Sequence, residues 1–173
     1  MSAQFKPSVG PSAAALADVL IEPMTKEDLE AVIAVENTIY TFPWTLLNFR
    51  DSLDAGYSAW TLKRASAVGR LGLAGYCVLM FTADEAHLLN LSVGLANQTR
   101  GYGLCLLEHT VRVARAHAAQ SILLEVRVSN SRAIGIYSRF GFTQVGTRKG
   151  YYPYSRVDGN AREDAIVMRL ELW

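Results

Sequence analysis

The sequence predicts an α/β fold with a mixed sheet, and two patterns carry that prediction. Three strand-like segments between residues 57 and 93 follow one another with short connections, which indicates an antiparallel meander. From Leu104 to Ala118 the apolar residues then recur at helical spacing, and another strand-like segment follows. Such a strand–helix–strand crossover implies parallel pairing at the centre of the sheet. In all, we expect a mostly antiparallel sheet of about seven strands with about four helices.

The elements before the crossover are marked by signals at their ends. Val19 opens a first predicted strand, and Thr25 caps a first helix, with Asp28 as a weak capping-box partner. Thr45 caps a second helix, which ends at Ala55-Gly56. The meander is predicted over Tyr57 to Lys63, Gly72 to Phe81 and Glu85 to Val93, with Ala67-Val68-Gly69 in its first connection.

The last third of the chain repeats the alternation of strand and helix. A strand is predicted over Ser121 to Val128, and a short helix over Asn130 to Phe140 ends at Gly141. Two final strands, Thr143 to Tyr152 and Asp164 to Leu172, are separated by a polar turn.

The composition is ordinary for a globular protein and excludes several functions. Of 173 residues, 50% are hydrophobic and 19% are charged, and the net charge is +1, which predicts one domain with a substantial core. No basic field suggests nucleic acid, and no apolar run of about 18 residues suggests a membrane. Residues 1–17 lack a targeting pattern and are predicted to be a flexible tail before a domain at 18–173.

Cysteine and histidine usage indicates neither a metal centre nor a disulfide framework. Cys77 and Cys105 both lie in apolar patterns and are predicted to be core residues. The three histidines are scattered, and no spacing is typical of zinc ligands, so no metal is expected. This usage fits a reducing compartment, and we expect a cytoplasmic protein.

The most informative stretch is Gln98-Thr99-Arg100-Gly101-Tyr102-Gly103, between a predicted strand and a predicted helix. Glycines let backbone N–H groups approach a phosphate, and the helix N-terminus adds positive potential. The alternative is a turn that only tightens the connection. Neither GxGxxG with a later acidic residue nor Gly-Lys-Ser/Thr is present, which disfavours dinucleotide binding and nucleotide hydrolysis.

Together with later motifs, this stretch resembles the GNAT acetyltransferase superfamily. Those motifs are Leu124-Glu125-Val126-Arg127, Ser129-Asn130, Ala133-Ile134, Tyr137 and Gly141-Phe142. Three further segments are similar to the ribosomal-protein-alanine N-acetyltransferase (RimI) family: Phe42-Pro43-Trp44, Arg148-Lys149-Gly150-Tyr151-Tyr152-Pro153 and Glu163-Asp164-Ala165-Ile166-Val167-Met168. The resemblance covers about Ile21 to Leu172. The chain departs from the family at Gly94-Leu95 and Leu104-Cys105, and the loop after Tyr152 is long.

The resemblance implies a GNAT fold whose central strand–helix–strand unit binds acetyl-CoA. It implies that the pantetheine arm meets Leu91, Ser92 and Val93, and that coenzyme A also contacts Asn130. The implied pyrophosphate loop is Thr99, Arg100, Gly101, Tyr102, Gly103 and Leu104. The implied acceptor is the N-terminal amine of a small-subunit ribosomal protein, acetylated by direct attack in a ternary complex.

Glu125 is the predicted general base. Period-2 alternation places it opposite the apolar face of its strand, where a carboxylate is unusual without a partner or a function. From the residues alone, an ion pair with Arg127, Arg148 or Lys149 is an equal alternative. The resemblance favours the catalytic role, because this position matches the family's proton acceptor.

Tyr137 is the predicted proton donor to the leaving thiolate. It follows Asn130 by about two helical turns, so both residues point to one side of the short helix. The alternative is a core aromatic whose hydroxyl bonds a backbone group. The matching position in the family is the proton donor.

Tyr151 and Tyr152 are predicted to hold the acceptor peptide, and Phe42-Pro43-Trp44 could form the opposite wall. Strand aromatics and a hydrophobic lid are the respective alternatives. An α-amino group has a pKa near 7.7–8.0 against about 10.4 for lysine, so an N-terminus is the easier acceptor. Two other functions stay open: acetylation of a lysine or a small amine, and a non-catalytic acyl-CoA sensor, which intact Glu125 and Tyr137 disfavour.

Overall fold

The fold is seen in a computed structural model that describes residues 19–65, 71–154 and 161–173. The predicted tail at 1–17, the connection at 67–69 and most of the loop after Tyr152 lie outside the described residues. None of the helices within these ranges is long and apolar enough to cross a membrane.

One seven-stranded sheet runs through the described part of the chain in the order β1-β2-β3-β4-β5-β7-β6. The strands are β1 Val19–Pro23, β2 Ser58–Ala65, β3 Leu71–Phe81, β4 Glu85–Val93, β5 Ser121–Arg127, β6 Thr143–Pro153 and β7 Arg162–Glu171. The helices are α1 Leu29–Ile39, α2 Leu46–Asp54, α3 Tyr102–Ala116 and α4 Ser131–Phe140, with short 3-10 turns at Lys26–Asp28 and Leu95–Asn97. Among the described strands only β4 and β5 pair in parallel, which confirms the predicted mixed α/β class.

Helix starts follow the predicted caps with one difference. Thr25 and Thr45 each form a capping box, the first at the 3-10 turn that leads into α1 and the second at α2. Helix α3 begins at Tyr102 rather than at the predicted Leu104, because the left-handed backbone of Gly101 already turns the chain into the helix. Tyr102 and Gly103, the last two residues of the glycine stretch, therefore lie in the first turn of α3.

The helices cover both faces of the sheet. Helices α3 and α4 pack on one face in a large apolar core, which includes Leu106 and Phe140. Helices α1 and α2 pack on the other face around Val32 and Phe49 in a smaller core. Full burial of such a side chain contributes about 1.5–3 kcal/mol. Cys77 and Cys105 are both buried free thiols, as predicted.

A β-bulge in β4 changes which face its side chains point to near the centre of the sheet. Asn90 pairs with Val78 and Leu88 pairs with Leu79, so Leu89 is an extra residue without a partner on β3. The extra residue shifts the alternation of side chains by one position. Leu88 faces the larger core, and without the bulge Asn90 would face the same way; with the bulge it faces α1 instead.

Gly75 lets β3 approach β4 just beyond this bulge. A Cβ atom at Gly75 would lie 2.7 Å from the carbonyl oxygen of Ser92, closer than folded proteins tolerate. Only glycine therefore fits there.

The parallel pairing between β4 and β5 is short. It joins Glu85–Leu88 to Ser121–Leu124 and does not continue further along either strand. Beyond Leu88 and Leu124 the two strands separate, although β4 runs on to Val93 and β5 to Arg127. The sheet is thus open at its centre, between the ends of two adjacent strands.

Candidate active site

The N-terminus of α3 has a left-handed N-cap and no capping side chain. Gly101, the N-cap residue, has φ +86°, and Thr99 before it has φ +64°, which a β-branched residue rarely adopts. No side chain caps this helix, and its first backbone bond runs from Cys105 N–H to the Gly101 carbonyl. The N–H groups of Tyr102, Gly103 and Leu104 therefore have no acceptor within the helix and carry its positive end.

Gln98 holds this loop in place. Its side-chain nitrogen donates to the carbonyl of Val93 at 3.1 Å, and its oxygen accepts from the guanidinium of Arg132 at 3.0 Å. The glutamine thereby links the loop to the end of β4 and to α4. The predicted phosphate stretch thus contains its own structural support.

A cavity of about 870 Å³ extends from this loop to the gap between β4 and β5. Of the ten predicted cofactor residues, nine line it: Leu91, Ser92, Val93, Thr99, Gly101, Tyr102, Gly103, Leu104 and Asn130. Arg100 is exposed and is not among the lining residues. The residues that the sequence separates are thus brought to one concave surface, and their cofactor contacts stay a prediction.

Asn130 is both a helix cap and a lining residue of this cavity. Its side-chain oxygen accepts from the N–H of Ala133 at 3.1 Å, so it is the N-cap of α4. It also lies on the cavity surface opposite the end of β4. The cap bond fixes the side chain that the resemblance assigns to coenzyme A.

Tyr137 lies in the same cavity, two turns further along α4. Its ring packs against Phe142 with centroids 5.6 Å apart. Burial raises the pKa of its phenol, and the nearby hydroxyls of Tyr40 and Tyr152 raise it further. Tyr137 therefore keeps its proton at neutral pH, as a proton donor must.

Glu125 lies on β5 just past the last pair with β4. One carboxylate oxygen is 2.5 Å from Nε2 of His87, and the other is 3.0 Å from the guanidinium of Arg148. The carboxylate is only 7% exposed and does not line the cavity, which begins with Arg127 on the same strand. The ion pair with Arg148 that the sequence left open as an alternative is therefore present, and the catalytic role of Glu125 stays a prediction.

The surroundings of Glu125 favour its ionised form. Burial alone would raise the pKa of the carboxyl, but the hydrogen bond and charge of His87 and the charge of Arg148 outweigh it. The net effect lowers the pKa, so Glu125 is a carboxylate at neutral pH. A base must be unprotonated before the reaction, and Glu125 meets that requirement.

The predicted clamp tyrosines lie at the end of β6, above β5. The hydroxyl of Tyr152 donates to the backbone carbonyl of Glu125 at 3.1 Å, and Arg127 stacks over its ring at 4.3 Å. Tyr151 packs edge-on against Tyr152 and is 40% exposed. Neither ring lines the cavity, whereas the following Pro153 does. The tyrosines therefore lie next to the part of the cavity lined by Pro153, and their contact with a peptide stays a prediction.

Arg127 is anchored by Glu163, a buried acid to which the sequence analysis assigned no role. Its guanidinium donates to Glu163 at 3.1 Å and to the carbonyl of Pro153 at 2.9 Å. The other oxygen of Glu163 accepts from the N–H of Ser129 at 2.7 Å. Burial alone would raise the pKa of Glu163, but the hydrogen bonds from Ser129 and Arg127 and the charge of Arg127 outweigh it and lower the pKa. The cluster joins β5, β6 and β7 at the cavity wall.

A buried polar network on the α1 side is a second feature that the sequence did not reveal. Glu36 of α1 is 1% exposed and accepts hydrogen bonds from Tyr76, from Asn90 and from the backbone N–H of Trp44. Asn90 in turn accepts from Ser92 at 2.9 Å. The network links α1 to the bulged part of β4.

Tyr40 extends that network to the cavity. Its hydroxyl is 2.8 Å from the hydroxyl of Ser92, and both residues line the cavity. Phe42 lines the cavity as well, whereas Trp44 packs on Phe49 in the smaller core at 5.1 Å. The Phe-Pro-Trp segment therefore divides: its first residue faces the cavity and its last belongs to the core.

The fold and the site together define a class. The acetyltransferase (GNAT) family model matches residues 29–142, and the chain belongs to this family. Within it, the chain belongs to the ribosomal-protein-alanine N-acetyltransferase (RimI) group and is an N-acetyltransferase. The ribosomal protein bS18-alanine N-acetyltransferase of Escherichia coli (strain K12) is 32% identical over 152 residues, which cover 88% of this chain and 97% of that protein.

Solved structures agree with this assignment. The crystal structure of the ribosomal-protein-S18-alanine N-acetyltransferase from Escherichia coli matches with TM-score 0.77 at 30% identity, covering 89% of this chain and 94% of that one. Arabidopsis thaliana NAA60 in complex with acetyl-CoA matches with TM-score 0.74 over 88% of this chain and 99% of that one. At 16% identity this likeness shows the fold alone. Acetyltransferases of the GNAT family use acetyl-CoA as the acetyl donor.

Proposed function

We propose that this chain acetylates the N-terminal alanine of a small-subunit ribosomal protein, using acetyl-CoA bound in the cavity between α3, β4 and β5. The relatives named above are bS18-alanine N-acetyltransferases, and the chain covers nearly their whole length. The observation that carries the proposal is the single cavity that joins the uncapped N-terminus of α3 to the gap beyond Leu88. A ribosomal acceptor would be met in the cytoplasm, and we propose that location, with the N-terminus of the acceptor protein rather than nucleic acid or a membrane as the direct partner.

The cavity residues fit acetyl-CoA. The free N–H groups of Tyr102, Gly103 and Leu104 suit the pyrophosphate, since a helix N-terminus favours anions. The backbone of β4 from Leu91 to Val93 is paired with β3 on one side but not with β5 on the other, and this second side offers hydrogen-bonding groups for the amides of the pantetheine arm. Bound there, acetyl-CoA would supply an acetyl thioester near Tyr137. Asn130 would then lie on the coenzyme's other side.

Glu125 and Tyr137 are assigned to the two proton transfers. Glu125 is ionised and can take a proton from the acceptor amine, through one water because the carboxylate lies just beyond the cavity wall. Tyr137 retains its proton and can give it to the departing sulfur. Backbone N–H groups near Ser92 can stabilise the charge on the thioester oxygen during attack.

Tyr151 and Tyr152 are assigned to the acceptor peptide. They stand above β5 beside Glu125, at the end of the cavity away from the α3 N-terminus. A shallow aromatic rim suits an extended peptide better than a small free amine. The gap in the β4–β5 pairing supplies the point where acceptor and thioester can meet.

A peptide panel tests this function. Synthetic peptides that begin with Ala, Ser or Met, and one with a blocked N-terminus and an internal Lys, are incubated with labelled acetyl-CoA and examined by mass spectrometry. We expect label on the α-amine of the Ala peptide. Label confined to the lysine, or no transfer to any peptide, would contradict the proposal.

Two variants test the assigned residues within the same assay. We expect Glu125→Gln and Tyr137→Phe each to reduce kcat by about 10²-fold or more, the usual contribution of a general acid or base. Glu171→Gln and Tyr57→Phe are the matched controls, since Glu171 is exposed at the end of β7 and Tyr57 lies away from the cavity. Near-normal turnover of both site variants would refute the assignment.

A further inference from the structure

The two oxygens of the Glu125 carboxylate are held in different ways. Oε2 lies 2.5 Å from Nε2 of His87, in hydrogen-bonding geometry. Oε1 lies 3.0 Å from Arg148, but the guanidinium is not aligned for a hydrogen bond, and no other described residue gives Oε1 one. One oxygen is therefore hydrogen-bonded to a neighbour, whereas the other is buried beside Arg148 and accepts no hydrogen bond.

The two neighbours also differ in how firmly they are placed. The side chain of His87 is 20% exposed and belongs to the paired part of β4, where it lies opposite Leu123 of β5. The side chain of Arg148 is 53% exposed and reaches Glu125 from β6. An exposed guanidinium on a long side chain exchanges easily between partners and water. The contact with His87 is thus the fixed one, and the contact with Arg148 is the exchangeable one.

No third side chain pairs with this carboxylate among the described residues. Arg127, next on the same face of β5, is bound to Glu163. Val167, the residue opposite Glu125 on β7, is apolar. Tyr152, from the end of β6, donates to the backbone carbonyl of Glu125 and not to its carboxylate.

We propose that His87 is a positioning residue for acetyl transfer, which holds Oε2 of Glu125 so that Oε1 is the oxygen that receives the proton from the acceptor amine. Arg148 moves away from Oε1 as the acceptor arrives. This inference rests on the proposed function, because it takes Glu125 as the base. It adds the residue that orients the base and the oxygen that acts.

The proton and bond changes balance. A neutral amine forms a bond from nitrogen to the thioester carbon while the carbon–sulfur bond breaks. Oε1 of Glu125 takes one proton from that nitrogen, through the intervening water, and the sulfur takes one proton from Tyr137. Exchange of one proton with water resets both residues. His87 stays hydrogen-bonded to Oε2 throughout and transfers no proton itself.

The test compares His87→Leu, which removes the hydrogen bond, with His87→Gln, which keeps an N–H donor. His117→Gln is the control, because His117 stacks on Phe81 and is bonded to the carbonyl of Val113, outside the cavity lining. Two quantities are measured in each full-length variant: the carbon-13 NMR titration of the Glu125 carboxyl, assigned by its loss in Glu125→Gln, and the kinetic constants with the Ala peptide.

We expect His87→Leu to raise the carboxyl midpoint by about one pH unit, since a hydrogen bond to the charged form is lost. We expect kcat to fall about tenfold, as a displaced base does, with KM for acetyl-CoA unchanged. His87→Gln should recover most of kcat, a rescue that a merely structural role of the imidazole does not predict. His117→Gln should match the unmodified protein in both measurements.

The outcomes separate this inference from the function on which it rests. If Glu125→Gln is inactive while His87→Leu keeps the original titration and kcat, His87 has no positioning role and the function stands. If Glu125→Gln turns over normally, the base assignment fails and this inference fails with it. If His87→Leu does not fold, His87→Gln decides: loss of activity equal to that of Glu125→Gln would also overturn the proposal.

Discussion

Removal of the Glu36 carboxyl is the sharpest test of how the fold is held together. Three donors bond to this buried carboxyl: the hydroxyl of Tyr76, the side-chain amide of Asn90 and the backbone N–H of Trp44. A buried polar group that loses its partner costs about 1–3 kcal/mol. We expect Glu36→Ala, which removes the acceptor of all three donors, to lower the free energy of unfolding by at least about 3 kcal/mol.

The assay is urea unfolding followed by circular dichroism, with a thermal melt beside it. For a chain of this size each kcal/mol corresponds to roughly 2–4 °C, so Tm should fall by at least about 6 °C. Glu30→Ala is the matched control, because Glu30 is an exposed glutamate on the same helix and should change stability by at most about 0.5 kcal/mol. A loss below about 1 kcal/mol in Glu36→Ala, or one equal to the control, would refute the reasoning.

The pH dependence of stability gives a second view of the same residue. Burial raises the pKa of Glu36, and the hydrogen bonds from Tyr76, Trp44 and Asn90 offset only part of that rise. Because the folded pKa is above the unfolded value of 4.5, the contribution of this carboxyl is complete below that value and is lost as pH rises through the folded pKa. Glu36→Gln cannot ionise, so its stability should fall less over that range. An unchanged slope would contradict the assigned direction.

Three further predictions concern the cavity and its rim. Gly101→Ala should weaken acetyl-CoA binding, measured by calorimetry, about tenfold, since a side chain at φ +86° costs about 1–2 kcal/mol. The control is Gly72→Ala, where an added Cβ atom meets nothing within 4 Å, and equal affinities of the two variants would contradict this. With the Ala peptide, kcat/KM should rise with pH around 7.7–8.0, the pKa range of the acceptor amine, because Glu125 is already ionised there. A midpoint below about pH 5 would assign the rise in kcat/KM to Glu125 instead. Tyr151→Ala should raise the KM for the peptide about tenfold and leave the KM for acetyl-CoA unchanged. Val145→Ala, at an exposed position of the same strand, is the control, and an equal effect of Tyr151→Ala on the two KM values would argue against a clamp.

The sequence predicted those features that are set by neighbouring residues. The caps at Thr25 and Thr45, the helical spacing after Leu104 and the alternation around Glu125 all depend on spacings of a few positions, and each is present in the structure. The fold class followed from these elements. The cavity-facing loop at Gly101 was found for the same reason, because its glycines and the following helix are adjacent in the chain.

The contacts that the sequence did not reveal join residues far apart in the chain. His87 meets Glu125 only through the register of the short parallel pairing. Glu36 lies in a helix that also carries exposed polar residues, and no local pattern distinguishes it from them, although it reaches Tyr76 and Asn90 on the sheet. Partners of this kind depend on register and packing, which a spacing pattern does not contain.

The bulge at Leu89 shows how one local irregularity limited prediction. Two leucines in succession, Leu88 and Leu89, interrupt the alternation of β4, and either of them could belong to the core face. The structure places the extra residue at Leu89, so Asn90 and Ser92 turn toward α1. The polar network could not be anticipated without the position of that extra residue.

The gap beyond Leu88 and Leu124 divides the sheet mechanically into two plates, β1 to β4 and β5 with β7 and β6, joined over four residue pairs. A molecule lying in the gap contacts both plates and so stiffens the joint between them. Glu125 and Tyr152 belong to the second plate, whereas the α3 N-terminus follows directly from the first. A molecule bound at the α3 N-terminus should therefore fix the angle at which Tyr151 and Tyr152 face the thioester. A lower rate of amide hydrogen exchange along the facing ends of β4 and β5 would report that stiffening.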